Sequence, residues 1–201
     1  MRAGKVSPSA QRGRDVRRRL LAAAAELIGE RGWSAVSTRA VAERAGVGAG
    51  LVHYHFPSLQ ALLADAALAR VEELLARFAA PLRAAPTPEA GLDHLLGALD
   101  AYSGHDAASL LFNETYLAAA RDPALARRLA DALADTRRHL ADWLRAHGAA
   151  DPEPTAAVLA AALDGVMLHR PLDPGLTAAA VAPVLRRTLA RPAHDKGGDP
   201  R

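Results

Sequence analysis

Residues 37–56, reading STRAVAERAGVGAGLVHYHF, constrain the fold more than any other stretch. They divide into two short helical runs at Gly46-Val47-Gly48. Ser37 has the hydroxyl an N-cap needs, and Val41, Ala42 and Ala45 then fall on one inward face. Gly46 permits a tight turn at positive φ. The second run, from about 48 to 56, turns His53, Tyr54 and His55 outward near one end. That is how a helix is presented to the major groove of DNA.

The rest of the composition agrees with an all-α chain. Half of the 201 residues are hydrophobic and aromatics make up 4%, enough apolar material to bury a core in one or two domains. The abundance of Ala and Leu favours helices, because Ala loses no side-chain entropy on entering one. With no cysteine, disulfides, thiolate metal sites and cysteine nucleophiles are excluded. No uncharged apolar run approaches the roughly 18 residues of a membrane span, and no apolar signal core follows the basic start. The expected location is the cytoplasm, with no membrane partner. Residues 1–64 carry ten Lys or Arg against four Asp or Glu, whereas residues 65–201 carry fifteen against eighteen. Positive charge therefore accompanies the outward rings, as phosphate neutralisation requires.

Along the chain, residues 1–13 lack periodicity and are expected to be a flexible arm. Leu20, Leu21, Ala24, Leu27 and Ile28 then form one apolar stripe ending near Gly32. Ser58 can cap a fourth helix that Pro81 should stop. Thr87-Pro88 and Asp122-Pro123 each open a further helix. The second of these carries Leu129, Leu133, Leu140 and Trp143 on one stripe. Pro152 and Pro154 mark another break, and two apolar helices close the chain. Pro183 should kink the last one or move its start, and residues 192–201 are expected to be disordered.

Several of these residues carry a family resemblance: Gly32-Trp33, Ser37-Thr38-Arg39, Val41-Ala42, Ala45-Gly46-Val47, Tyr54-x-Phe56 and Leu62-Leu63. Over about residues 14–64 the chain resembles the tetracycline-repressor (TetR) family of bacterial regulators. The resemblance implies a three-helix DNA-binding domain with a helix-turn-helix at 14–60, and a C-terminal helical domain for effector binding and dimerisation at 61–191. It further implies a homodimeric, nucleoid-associated repressor released from a palindromic operator by a small molecule. Two positions depart from the family. Val52-His53 stands where Leu-Tyr is frequent, and Leu59 stands where a lysine commonly grips a phosphate.

Candidate contacts divide by chemistry, since phosphate contacts position a domain and base-edge contacts specify sequence. Ser37, Thr38 and Arg39 suit phosphate, and Arg39 also suits guanine. Gly48 and Ala49 let the backbone come close. Leu51 fits either a thymine methyl or the core. His53, Tyr54 and His55 are candidates for base or phosphate, with packing the alternative for His55. Arg17, Arg18 and Arg19 read as a solvated cluster. For an effector pocket, the aromatics Tyr102, Phe112, Tyr116 and Trp143 are the candidates, with Asn113, Glu114, His105 and His139 as possible polar partners. Val158, Leu159, Ala162, Leu163, Val166, Val181, Leu185 and Leu189 are expected to pair two subunits as a four-helix bundle, with burial inside one subunit the alternative. No nucleophile with an adjacent base, no metal triad and no phosphate-cradling loop occurs, so neither catalysis nor a cofactor is expected. The rival readings are a helical protein-interaction module and a small helical enzyme.

Overall fold

A computed structural model describes residues 8–189, and among these every regular element is helical. In chain order they are α1 (Pro8–Arg31), a 3-10 turn (Trp33–Ala35), α2 (Thr38–Ala45), α3 (Gly50–His55), α4 (Leu59–Ala84), α5 (Pro88–Leu99), α6 (Ala107–Ala119), α7 (Pro123–Ala146), α8 (Pro152–His169) and α9 (Ala178–Leu189). No helix among the described residues is long and apolar enough to cross a membrane.

Backbone contacts divide the chain into two compact units. One holds the described residues through Leu74 together with Tyr102–Ala132; the other holds Leu75–Ala101 with the described residues from Leu133 onward. These units are defined by backbone contacts, whereas the division at 60/61 is the one the family resemblance implies.

In the first unit, α1 packs against α2, α3 and α6. Leu20, Ala24, Leu27 and Ile28 of α1 are buried, as are Val41, Ala42 and Ala45 of α2, Val52 of α3, Phe56, and Leu62, Leu63 and Ala66 of α4. The α1–α6 crossing is close. A Cβ built on Gly29 would stand 2.6 Å from the Ala107 carbonyl oxygen, so only glycine fits. A Ser103-Gly104-His105-Asp106 turn precedes α6. Asp106 caps it by accepting the Ser109 N–H at 3.0 Å and the Ser109 hydroxyl at 2.7 Å, and also accepts the Ser103 N–H at 2.8 Å.

In the second unit, Leu82, Leu92, Leu95, Leu96, Leu140, Leu144, Leu159 and Leu185 form the core, with Trp143 packed against it. Arg170 ties its loops together, donating to the Leu99 carbonyl at 3.0 Å and pairing with Asp100 at 3.0 Å.

Three expectations change. Residues 8–13, expected to belong to a flexible arm, are the first turns of α1, since Pro8 suits a helix start and no breaker follows except Gly13. Residues 1–7 and 192–201 lie outside the described residues. Pro81 does not stop α4, which runs on to Ala84; its missing N–H is outweighed by burial of Leu82 and Ala85 just beyond it. The stretch after Thr87 is two helices, because the Ser-Gly-Asp turn at 103–106 separates α5 from α6. Pro183, expected to kink the last helix or move its start, stands inside α9, which runs from Ala178 to Leu189.

Candidate nucleic-acid interface

The turn between α2 and α3 follows from its residues. Ser37 Oγ accepts the Ala40 N–H at 3.2 Å and starts α2. Gly46 adopts φ 64°, ψ 42°, the left-handed conformation that favours glycine. The Gly46 N–H donates to the Glu43 carbonyl at 3.2 Å and the Val47 N–H to the Ala42 carbonyl at 3.0 Å, closing a Schellman motif. The chain then enters α3 through donations from Leu51 to Gly48 and from Val52 to Ala49. Gly48 and Ala49 are therefore part of the turn, and α3 proper begins at Gly50.

Two anchors set which side of α3 faces outward. Val52 is fully buried and Phe56 nearly so, which turns Leu51, His53 and Tyr54 to solvent. Tyr54 is 80% exposed, far too much for a core tyrosine. His55 is half-buried, with its ring edge-on to Tyr54 at 5.0 Å. It also lies beside Gly13 of α1, so packing is part of its role. Leu51, for which the core was one alternative, is 38% exposed.

On α2, Ser37 and Arg39 are exposed and Thr38 is half-buried. Arg39 donates to Glu43 one turn on at 2.8 Å. Hydrogen bonding and the charge of Glu43 raise the Arg39 pKa above its usual value. Both side chains are well exposed, so the pair contributes little and yields readily to a phosphate. Arg44 is different: it bridges Glu30 at 2.7 Å and Glu26 at 3.1 Å, fastening α2 to α1. Its hydrogen bond holds the Glu30 carboxyl below the usual range.

The arginines of α1 are not simply solvated. Arg17 pairs with Asp65 of α4 at 2.8 Å and lies over the Phe56 ring at 4.8 Å. Arg128 reaches the same carboxylate at 3.0 Å. Arg18 pairs with Asp15 at 3.1 Å. Leu59 is half-buried at the first turn of α4, where the Ser58 hydroxyl accepts the Ala61 N–H at 3.1 Å.

The sequence reading missed the polar tie behind this face. Glu114 of α6, counted above as a possible pocket group, accepts the Trp33 N–H at 2.7 Å. The Trp33 indole Nε1–H donates to Gln60 of α4 at 2.9 Å. Gly32-Trp33 was the available signal, but nothing local indicates a partner 81 residues away.

The four pocket aromatics are distributed over the two units. Phe112 is buried and packs at a tilt against Tyr116, centroids 5.0 Å apart, within the first unit. Tyr102 precedes α6 in that unit. Trp143 belongs to the second unit, where it packs on Gly91 and against the His147 ring at 4.5 Å. An open groove of about 470 Å³ in the second unit is lined by Arg137, Arg138, Arg145, Asp142, Glu153 and alanines, and by none of the four aromatics. Its charges are largely matched, Arg145 bonding Asp142 at 2.5 Å and also Glu153.

The expected subunit-pairing residues also divide. Leu159, Val166 and Leu185 are buried within their own unit, and Ala162, Leu163, Val181 and Leu189 are half-buried against its core. Leu159 and Leu185 therefore contribute to the core of the second unit. Val158 alone of the eight is exposed, at 52%. Beside it in helical register stand Ala161 and Leu168, both exposed; Leu172, in the turn after α8, and Val184 on α9 are exposed too.

The description "Bacterial regulatory proteins, tetR family" matches residues 20–66, and "Tetracyclin repressor-like, C-terminal domain" matches residues 86–191. No curated protein matches the sequence. Among solved structures, a transcriptional regulator from Streptomyces coelicolor A3(2) is 29% identical with a TM-score of 0.75, covering 88% of this chain and 99% of its own. A TetR-family member from Streptomyces coelicolor A3 is 31% identical, with a TM-score of 0.69 and coverage of 88% and 99%. The multidrug binding protein EbrR, complexed with imidazole, is 31% identical, with a TM-score of 0.68 and coverage of 89% and 97%. With both parts of the chain matched and the helix-turn-helix formed as described, this chain belongs to the tetR family of bacterial regulatory proteins, DNA-binding regulators of transcription.

Proposed function

We propose that the protein is a repressor that binds a near-palindromic operator as a homodimer and leaves it when a small molecule binds. The observation that carries the DNA half is the orientation of α3, held by Val52 and Phe56 while Leu51, His53 and Tyr54 face outward. In this reading α3 enters the major groove, and Ser37, Thr38 and Arg39 meet the flanking phosphates. Gly48 and Ala49 allow the backbone to approach the base edges, and His55 steadies Tyr54. Two such helices in one dimer reach successive major grooves roughly 34 to 36 Å apart.

The subunit face supported by exposure is the outer stripe of α8, namely Val158, Ala161 and Leu168, with Leu172 in the turn that follows and Val184 of α9. A soluble chain rarely leaves such a row of apolar side chains to water. Release by an effector is supported by the family's C-terminal domain and by the imidazole complex of EbrR. Phe112 and Tyr116 are the aromatic candidates near such a ligand. An effector acts only through unequal affinity for the bound and released conformations.

The test is a fluorescence-anisotropy titration at fixed salt against duplexes selected from a random library. Tyr54→Ala and Arg39→Ala should each weaken binding about tenfold, the scale of one charge-assisted contact, with melting unchanged. Normal binding by both variants removes α3 and α2 from the interface.

A further inference from the structure

From Val47 to Phe56 the chain contains no Arg, Lys, Asn, Gln, Asp or Glu. Those are the side chains that read bases by paired hydrogen bonds: Arg or Lys on guanine, Asn or Gln on adenine, Asp or Glu on cytosine. What this segment exposes at its leading end is instead Gly48, Ala49, Gly50 and Leu51. Leu51 is 38% exposed, whereas Leu20, Leu27, Leu62 and Leu63 around the same three-helix core are at most 1% exposed. Between Val47 and Leu51 no side chain is larger than a methyl group. Nothing lies within 4 Å of a Cβ built on Gly48 or Gly50, so this end of the helix is open in front. A leucine standing clear on an otherwise bare, uncharged turn is shaped for an apolar partner. The major groove offers one such group, the C5-methyl of thymine. The surplus of basic residues in 1–64 brings the duplex close without selecting among bases.

We infer that Leu51, with Ala49 beside it, makes this protein a thymine reader: its operator is specified at these positions by pyrimidine methyl groups and not by paired hydrogen bonds. The inference rests on α3 being the groove-facing helix. The methyl lies against the Leu51 side chain and leaves water on binding, so its loss is worth about fourfold in affinity per contact.

The experiment replaces each thymine of a selected operator in turn by deoxyuridine, which pairs identically and lacks only the methyl. At one symmetric pair of positions the full-length protein should bind about fourfold more weakly for each methyl removed. Leu51→Ala, a change at an exposed site that leaves the core intact, should bind the thymine and uracil duplexes equally. Equal binding of every uracil duplex by the unaltered protein overturns the inference while leaving operator binding in place. A thymine preference that survives in Leu51→Ala overturns the assignment to Leu51. If no duplex is selected at all, the DNA-binding reading falls and this one with it.

Discussion

Glu114 accepts the Trp33 backbone N–H at 2.7 Å, joining the middle of α6 to the turn that ends α1. Trp33 then passes the connection on, its indole N–H donating to Gln60 at the start of α4. One residue is thus held by both α6 and α4. Glu114→Ala leaves a partly buried N–H without an acceptor and should lower stability by about 1–3 kcal/mol. Glu114→Gln keeps a carbonyl oxygen in reach and should lose less. Urea unfolding of the two variants checks this; equal losses would mean that the acceptor is not what counts.

Gly91 and Gly97 occupy the same helix and should respond oppositely to alanine. A Cβ on Gly91 would meet the Trp143 ring, with Cζ2 at 2.6 Å and the Leu82 Cδ1 at 3.0 Å, whereas Gly97 has nothing within 4 Å. Gly97→Ala should stabilise by up to about 1 kcal/mol through helix propensity alone. Gly91→Ala should destabilise by about 1–3 kcal/mol, because the indole must shift out of a packed site. Thermal melts with tryptophan emission as a second readout decide it, and stabilisation by both substitutions would refute the packing described.

Asp106 makes the stability pH-dependent. Burial acts to raise its carboxyl pKa, but the hydrogen bonds from Ser109 and Ser103 outweigh burial and hold it below the usual value. A carboxyl depressed in the folded state adds stability above its unfolded pKa, about 3.9, and loses it as pH falls through the lower folded value. Asp106→Asn should therefore be less stable at pH 7 by about 1 kcal/mol, the difference between charged and neutral hydrogen bonds. The gap to the unaltered protein should narrow below about pH 4. Unfolding followed from pH 7 to pH 3 measures it, and a constant gap would show that the charge plays no part.

Assembly should respond to the outer stripe of α8. Val158→Glu and Leu168→Glu place charge on exposed positions and should give folded monomers by light scattering. Leu185→Arg buries a charge in the second core and should unfold that unit instead, at a cost of several kcal/mol. Dimers of unchanged mass from both α8 variants would move the contact elsewhere.

Local chemistry made much of this molecule readable from its residues. Ser37, Gly46 and Val52 act through neighbours a few positions away, so the helix-turn-helix follows from caps, a positive φ and an apolar period. Trp33 with Glu114 and Gly91 with Trp143 depend on partners distant in the chain, and no periodicity encodes those. The two faces of α8 were the harder case. Both are apolar, since Ala, Val and Leu fill this helix all round, and only packing distinguishes Leu159 inside from Val158 outside.

The bare crossing at Gly29 has a mechanical result. With only hydrogen separating α1 from the Ala107 carbonyl, the first turn of α6 has no slack to slide along α1. A push that tilts α6 must either lift it off this bearing or carry α1 along, and with α1 the helices α2 and α3 packed on it. The pivot is a single missing methyl group.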